Sequence, residues 1–285
     1  MAKCIECVAR SDSVPQCLQV CWKVADSFPP KSSWTDDQTK TTAVEALQKS
    51  HDLLGAFFAD FNRYKQRARK HFRTNREREK ETDKEKHAAE DSVVLCSRMS
   101  HLKQVELRLN FLRFILHNSS LLLSLEQLQQ LWDMSAADAT ATDAEKEIMY
   151  TWMKDQTAVM DAEGINHVFE SKMVHMSPQW LSQLSKNGFL CFTRFFTLSN
   201  ESQQGLIRVD ATDATTGGEF APFQVLRMPE TLTGYEAFWS ILLHASNEEV
   251  VRECINFLTD LCENLAPELT EEIGNIRNQC LQTCT

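Results

Sequence analysis

Residues 101–134 read HLKQVELRLNFLRFILHNSSLLLSLEQLQQLWDM. Leu102, Val105, Leu109, Leu112 and Leu116 recur at steps of three and four, and Phe111 and Ile115 widen the stripe. That spacing predicts a helix with one complete core-facing side. Asn118-Ser119-Ser120 breaks the pattern. Ser124 and Gln127 then stand at capping-box spacing and open a second helix bearing Leu128, Leu131 and Trp132. Two amphipathic helices joined by a short polar break cannot bury both apolar faces by themselves, so such a pair requires neighbours.

The same grammar extends outward in both directions. Helix pairs are predicted at 90–118 with 124–134, 143–157 with 161–174, 178–184 with 186–199, and 233–245 with 247–265. Thr142 with Glu145 and Ser246 with Glu249 repeat the capping-box spacing, while Ser177-Pro178 supplies an N-cap followed by proline in the first turn. Pairs recurring at about 40 residues are the mark of a helical solenoid of the armadillo or HEAT kind. The chain has 8 Gly and 7 Pro in 285 residues. A sandwich or barrel needs a turn residue every 8–12 positions or so, which this composition does not supply. The expected fold class is an all-α, armadillo/HEAT-like solenoid of stacked helix pairs.

Upstream, Val44, Leu47, Leu54, Phe57, Phe58 and Phe61 predict one further helix. Its run of Phe57, Phe58, Phe61 and Tyr64 has the look of an aromatic cofactor box, but helical core spacing explains it without a ligand. Cys17, Leu18, Cys21, Trp22 and Val24 make a short amphipathic piece closed by Pro29-Pro30. The expected organisation is an N-terminal helical segment over 1–73, a charged linker over 74–90 and the solenoid over 91–285. Periodicity is lost over 200–230, which reads as a loop insertion. The last apolar stripe, Ile273, Ile276, Cys280, Leu281 and Cys284, has no stop signal, so the solenoid is expected to continue beyond it.

The formal net charge of −10 conceals an asymmetry. Between Arg63 and Lys80 nine basic residues face only Glu77 and Glu79. A solvated helix end running into a linker accounts for this run. The alternative is a basic arm over 63–80, contacting polyanions or directing nuclear import, with Arg67, Arg69, Lys70 and Arg73 as its contacts. Only Tyr64 and Phe72 are interleaved for stacking, which argues against nucleic acid as the partner. No stretch of about 18 apolar residues is present, so no membrane partner is expected. The N-terminus has no signal-peptide core, and ten cysteines in a chain of this length read as reduced thiols, which points to the cytoplasm or nucleus.

Catalytic and metal chemistry find little support. Cys4-x-x-Cys7 and Cys17-x-x-x-Cys21 have the count for a tetrahedral zinc site. The nine residues between the pairs are fewer than zinc modules use, however, and Cys17 and Cys21 lie one helical turn apart beside Leu18 and Trp22. No metal is assigned. Cys96, Cys191, Cys254 and Cys262 sit within helical patterns, away from the Gly- or Asn-rich turn that activates a nucleophilic thiol. Glycine-rich phosphate loops and the nucleophile elbow are missing from the sequence. No catalytic residue, cofactor or small-molecule ligand is expected.

From about His101 to Leu269 the chain resembles the helical-repeat region of the giant ubiquitin-specific proteases of the fat-facets type. The pieces carrying the likeness are Val105-Glu106-x-Arg108-Leu109-x-Phe111-Leu112 and Leu123-Ser124-x-Glu126-Gln127 with Leu131-Trp132. They are followed by Gly188-Phe189-x-x-Phe192 with Phe195-Phe196, by Gly234-Tyr235-x-x-Phe238-Trp239, and by Glu248-Glu249-Val250. The resemblance implies a non-catalytic scaffold segment of a cysteine-type deubiquitinase, with ubiquitinated clients or regulators of the parent protease as protein partners. The Cys box and His box of such proteases have no counterpart here, so no catalytic residue carries over.

Overall fold

The computed structural model describes residues 36–79, 99–134, 136–138, 140–209 and 223–272, together with Cys17, Gly274 and Asn278. Two compact units divide the chain, Met1–Met160 and Asp161–Thr285. Apart from Cys17, Gly274 and Asn278, the N-terminal cysteine pairs, the linker from Lys80 and the final apolar stripe lie outside the described residues.

In the first unit, α1 (Asp36–His51) and α2 (Leu53–Glu79) meet at Asp52. The sequence predicted a single helix here; the structure has two. Asp52 takes φ 46°, a left-handed value rare for a side-chain-bearing residue. Its N–H still donates to the Gln48 carbonyl, while its Oδ1 accepts from Gly55 N–H at 3.2 Å. One aspartate thus closes α1 and caps α2. A Cβ at position 55 would stand 2.0 Å from Asp52 Oδ2, so any larger residue there would require this capping carboxylate to turn.

Helix α2 then buries Leu54, Phe57, Phe58, Phe61, Tyr64, Ala68 and Phe72, so the aromatic run is core. Helix α3 (His101–His117) buries Val105, Leu109, Leu112, Ile115 and Leu116 as its stripe predicted. Before α4 (Leu125–Met134) the capping box is complete: Gln127 N–H donates to Ser124 Oγ at 3.2 Å, and Ser124 N–H donates to Gln127 Oε1 at 3.0 Å. Helix α5 (Asp143–Gln156) has only half of its box. Thr142 Oγ1 accepts from Glu145 N–H, but the Glu145 carboxylate turns inward. Trp152 of α5 donates its indole N–H to the Leu109 carbonyl of α3 at 2.8 Å.

The second unit opens with α6 (Ala162–Val168), whose last turn widens into a π-helical stretch, Phe169–Met173. The one-turn α7 (Pro178–Leu181) starts where Ser177-Pro178 predicted, with Ser177 accepting from Trp180 N–H. Helix α8 (Lys186–Ser202) leads into β1 (Leu206–Arg208), which pairs antiparallel with β2 (Phe223–Val225). Val225 also bridges to Leu265 through Val225 N–H to Asn264 O (2.7 Å) and Ala266 N–H to Val225 O (2.8 Å). The ends of the aperiodic 200–230 stretch are therefore ordered, although three-residue strands are too short to show period-two patterning. Residues 210–222 lie outside the description.

Helices α9 (Tyr235–His244) and α10 (Glu248–Glu263) follow, with a 3-10 turn, Pro267–Glu272, after them. Phe238 sits at the centre of its core, with ring centroids 5.1 Å from Phe192, 4.9 Å from Phe196 and 5.1 Å from Phe257. The expected Ser246 cap is displaced by one residue: Asn247 is the N-cap of α10, its Oδ1 accepting from Glu249 N–H at 2.9 Å. The Glu249 carboxylate pairs with Lys186 instead of folding back.

Candidate functional site

The basic stretch of α2 has two sides. Lys65 and Arg69 are four residues apart, so both project toward the same flank of the helix. Lys65 is nearly inaccessible and donates to Glu145 of α5, with Asp138 Oδ2 3.5 Å away. Arg69 Nε donates to Asp138 Oδ2 at 2.7 Å, and its Nη2 reaches the Asp133 carbonyl at 3.3 Å. Thr140 fixes the other oxygen of Asp138 with its N–H (2.9 Å) and hydroxyl (2.7 Å). Next along, His101 Nε2 lies 3.0 Å from Glu145 Oε2, and its Nδ1 lies 2.8 Å from the Tyr64 hydroxyl. Arg108 stacks over Tyr64 at 4.2 Å and donates to Asp60 Oδ2 at 2.8 Å and to Gln104 Oε1 at 2.8 Å. The network therefore ties α2 to α3, α5 and the connection before α5.

Its electrostatics follow from burial set against pairing. Burial by itself pushes the Glu145 carboxyl up; the His101 hydrogen bond and the Lys65 charge outweigh it, leaving the pKa below its ordinary value. Asp138 follows the same pattern, burial opposing, while Thr140, Arg69 and Lys65 hold it low. Both carboxylates are thus charged acceptors at neutral pH. A histidine between a tyrosine and a carboxylate invites comparison with an acid–base pair. His101 is wholly buried and both ring nitrogens are engaged, so no substrate atom reaches it. The arrangement fixes helix register. It does not present a reactive group.

Of the residues singled out in the sequence, Arg67 and Lys70 are exposed on the opposite side of α2. Arg69 is turned to Asp138. Arg73 lies on α2, with its side chain outside the described residues. Cys191 and Cys254 are buried, Cys17 and Cys262 half-buried. Burial pushes the Cys254 thiol up to about 12, so it is protonated and unreactive near neutrality. Among the described residues no group of three or more His, Cys, Asp or Glu could hold a metal ion, and no helix is long and apolar enough to cross a membrane. Sequence reasoning missed the network itself. His101, Gln104 and Arg108 carried its one signal, a polar stripe at i, i+3 and i+7 beside the apolar one.

Residues 1–200 match the UBP24/USP9X/USP9Y ARM repeat. The chain belongs to this ARM-repeat family. It is 27% identical over 246 residues to ubiquitin carboxyl-terminal hydrolase 9X of Mus musculus, covering 85% of this chain and 8% of that protein. Ubiquitin carboxyl-terminal hydrolase 9Y of Homo sapiens is 29% identical over 197 residues, 68% of this chain and 7% of that protein. The probable ubiquitin carboxyl-terminal hydrolase FAF of Drosophila melanogaster is 25% identical over 196 residues, 67% of this chain and 6% of its own length. The chain therefore spans less than a tenth of the relatives it matches. Family and helices agree on an all-α armadillo-repeat fold, and the homology is to a helical-repeat region of large ubiquitin-specific proteases.

Proposed function

We propose that this chain acts as a non-catalytic helical scaffold within a cysteine-type deubiquitinase, positioning ubiquitinated substrates or regulators for a protease domain elsewhere in the protein. The ARM-repeat match over residues 1–200 carries the reading. The site geometry supports it: the polar cluster is spent on holding helices together, and the Cys254 thiol is held protonated. Its partners are proteins, and its place is the cytoplasm or nucleus, where ubiquitin conjugates are processed.

The test separates chemistry from positioning. Deleting this segment from the parent protease is expected to leave turnover of a minimal ubiquitin–fluorophore substrate unchanged while cleavage of folded ubiquitinated clients falls. Loss of both activities together, or of neither, overturns the scaffold reading. The isolated chain should also remain unlabelled by a ubiquitin probe bearing a thiol-reactive warhead. Labelling would identify a catalytic cysteine within it.

A further inference from the structure

Helix α10 carries two apolar stripes, and the core takes up only one of them completely. Val250, Cys254, Phe257 and Leu261 repeat at steps of four, three and four, and all are buried. Val251, Ile255, Leu258 and Cys262 repeat the same steps one position along, about 100° around the helix. In this second stripe Leu258 is buried, Val251 and Cys262 are half-buried, and Ile255 is 52% exposed. The neighbouring α9 is open as well, with Leu243 80% exposed and Trp239 and Leu242 half-buried. A helix pair that still bares apolar side chains after its own core is filled calls for a further element stacked on it.

We propose that residues 273–284 of this chain cover the second stripe of α10, lying antiparallel along it. The segment belongs to the same unit, Asp161–Thr285, and its own pattern is the complement of the stripe. Gly274 and Asn278 are helical and exposed, about one turn apart, and a Cβ added at position 274 would meet nothing within 4 Å. A helix with that side outward turns Ile273, Ile276 and Cys280 to the other side. Val251 to Cys262 and Ile273 to Cys284 have equal length, about 16 Å of helix each. The short connection over 264–272 favours an antiparallel return. That return sets Ile273 beside Cys262, Ile276 beside Leu258 and Cys280 beside Ile255. Charge selects the same occupant. From Ile273 to Thr285 the one charged side chain is Arg277, opposite in sign to the acidic excess of residues 161–285. A second copy of the chain would bring that excess against itself. The inference stands apart from the scaffold reading, which rests on a match to residues 1–200.

The experiment is thiol cross-linking in the full 285-residue chain with dibromobimane, a reagent that bridges two cysteines only when their sulfurs lie close together. In Ile255→Cys the introduced thiol is expected to be joined to Cys280 of the same chain, as read by peptide mapping. Asn256→Cys places the thiol on the exposed polar side of α10 and should lose that product. Ile276→Asp added to Ile255→Cys should lose it too, with circular dichroism reporting that the chain is still folded. Should Ile255→Cys fail to fold, Val251→Cys reads the same register through a bridge to Cys284. Equal bridging to Cys280 from positions 255 and 256, cross-linked dimers in place of the intrachain product, or a folded variant without the bridge would each overturn the proposal.

Discussion

Lys65 and Glu145 stand 80 positions apart in the chain, yet their side chains meet where neither is more than 2% exposed. Each charge is tolerated there only because the other is present. Replacing Lys65 by Met leaves a buried carboxylate with His101 alone, and losing one partner of such a pair costs about 3–5 kcal/mol. Replacing both, as Lys65→Met/Glu145→Leu, removes the stranded charge and should recover part of that loss. Urea denaturation of the single and double variants measures the coupling, and strictly additive losses would contradict it. The pH response follows from the same pair. Glu145 and Asp138 have folded pKa values below their ordinary 4.5 and 3.8. Their contribution is therefore complete above the unfolded values and is lost as pH falls through the folded ones. Glu145→Gln should flatten the acid limb of a stability–pH profile, and an unaltered limb would show that the acid sensitivity lies elsewhere.

Helix boundaries test the same physics at the next level. Ser124→Ala removes a completed capping box and should cost about 1 kcal/mol. Ser246→Ala should cost almost nothing while Asn247→Ala costs about 1 kcal/mol, because Asn247 makes the cap. Chemical denaturation of the pair decides between the two caps. Gly234 is more constrained: at φ 84° an added Cβ would stand 2.5 Å from Cζ of Phe169, inside the π-helical turn. Gly234→Ala should therefore lower stability by more than about 1 kcal/mol, which a thermal melt would register. The same comparison shows what the sequence discloses and what it hides. Apolar stripes and caps are local, so α3, α4 and α8 were legible from spacing alone. Asp52 breaks a helix without being Gly or Pro, and two adjacent cap formers at Ser246-Asn247 left a one-residue ambiguity. The buried network escaped because its partners lie 37 to 80 residues apart, beyond any periodicity argument. Arg69 illustrates the cost: read as part of a uniform basic run, it proves to be tied to Asp138.

Charge is distributed unevenly across the chain as a whole. Residues 1–160 hold 23 acidic and 23 basic side chains, whereas residues 161–285 hold 17 acidic against 7 basic and so carry the entire −10. Exposed or half-exposed pairs such as Lys186–Glu249 and Arg208–Glu201 offset little of that self-repulsion. Asp260 reflects it: burial and the neighbouring Glu263 raise its pKa above the ordinary value. A group raised on folding contributes its stability below the unfolded pKa and loses it as pH rises through the folded one. The two units should therefore respond to mild acid in opposite senses. Between neutrality and about pH 4 the first unit should begin to weaken as its paired carboxylates approach titration, while the second gains as its like charges are relieved. Trp132 and Trp152 lie in the first unit, Trp180 and Trp239 in the second. A Trp180→Phe/Trp239→Phe variant removes the second unit's indoles, and Trp132→Phe/Trp152→Phe removes the described ones of the first. Urea unfolding followed by tryptophan fluorescence in each variant should give denaturation midpoints that shift in opposite directions as the pH is lowered. Midpoints that shift together and in one direction would mean that net charge, despite its concentration in residues 161–285, does not set how that unit answers to pH.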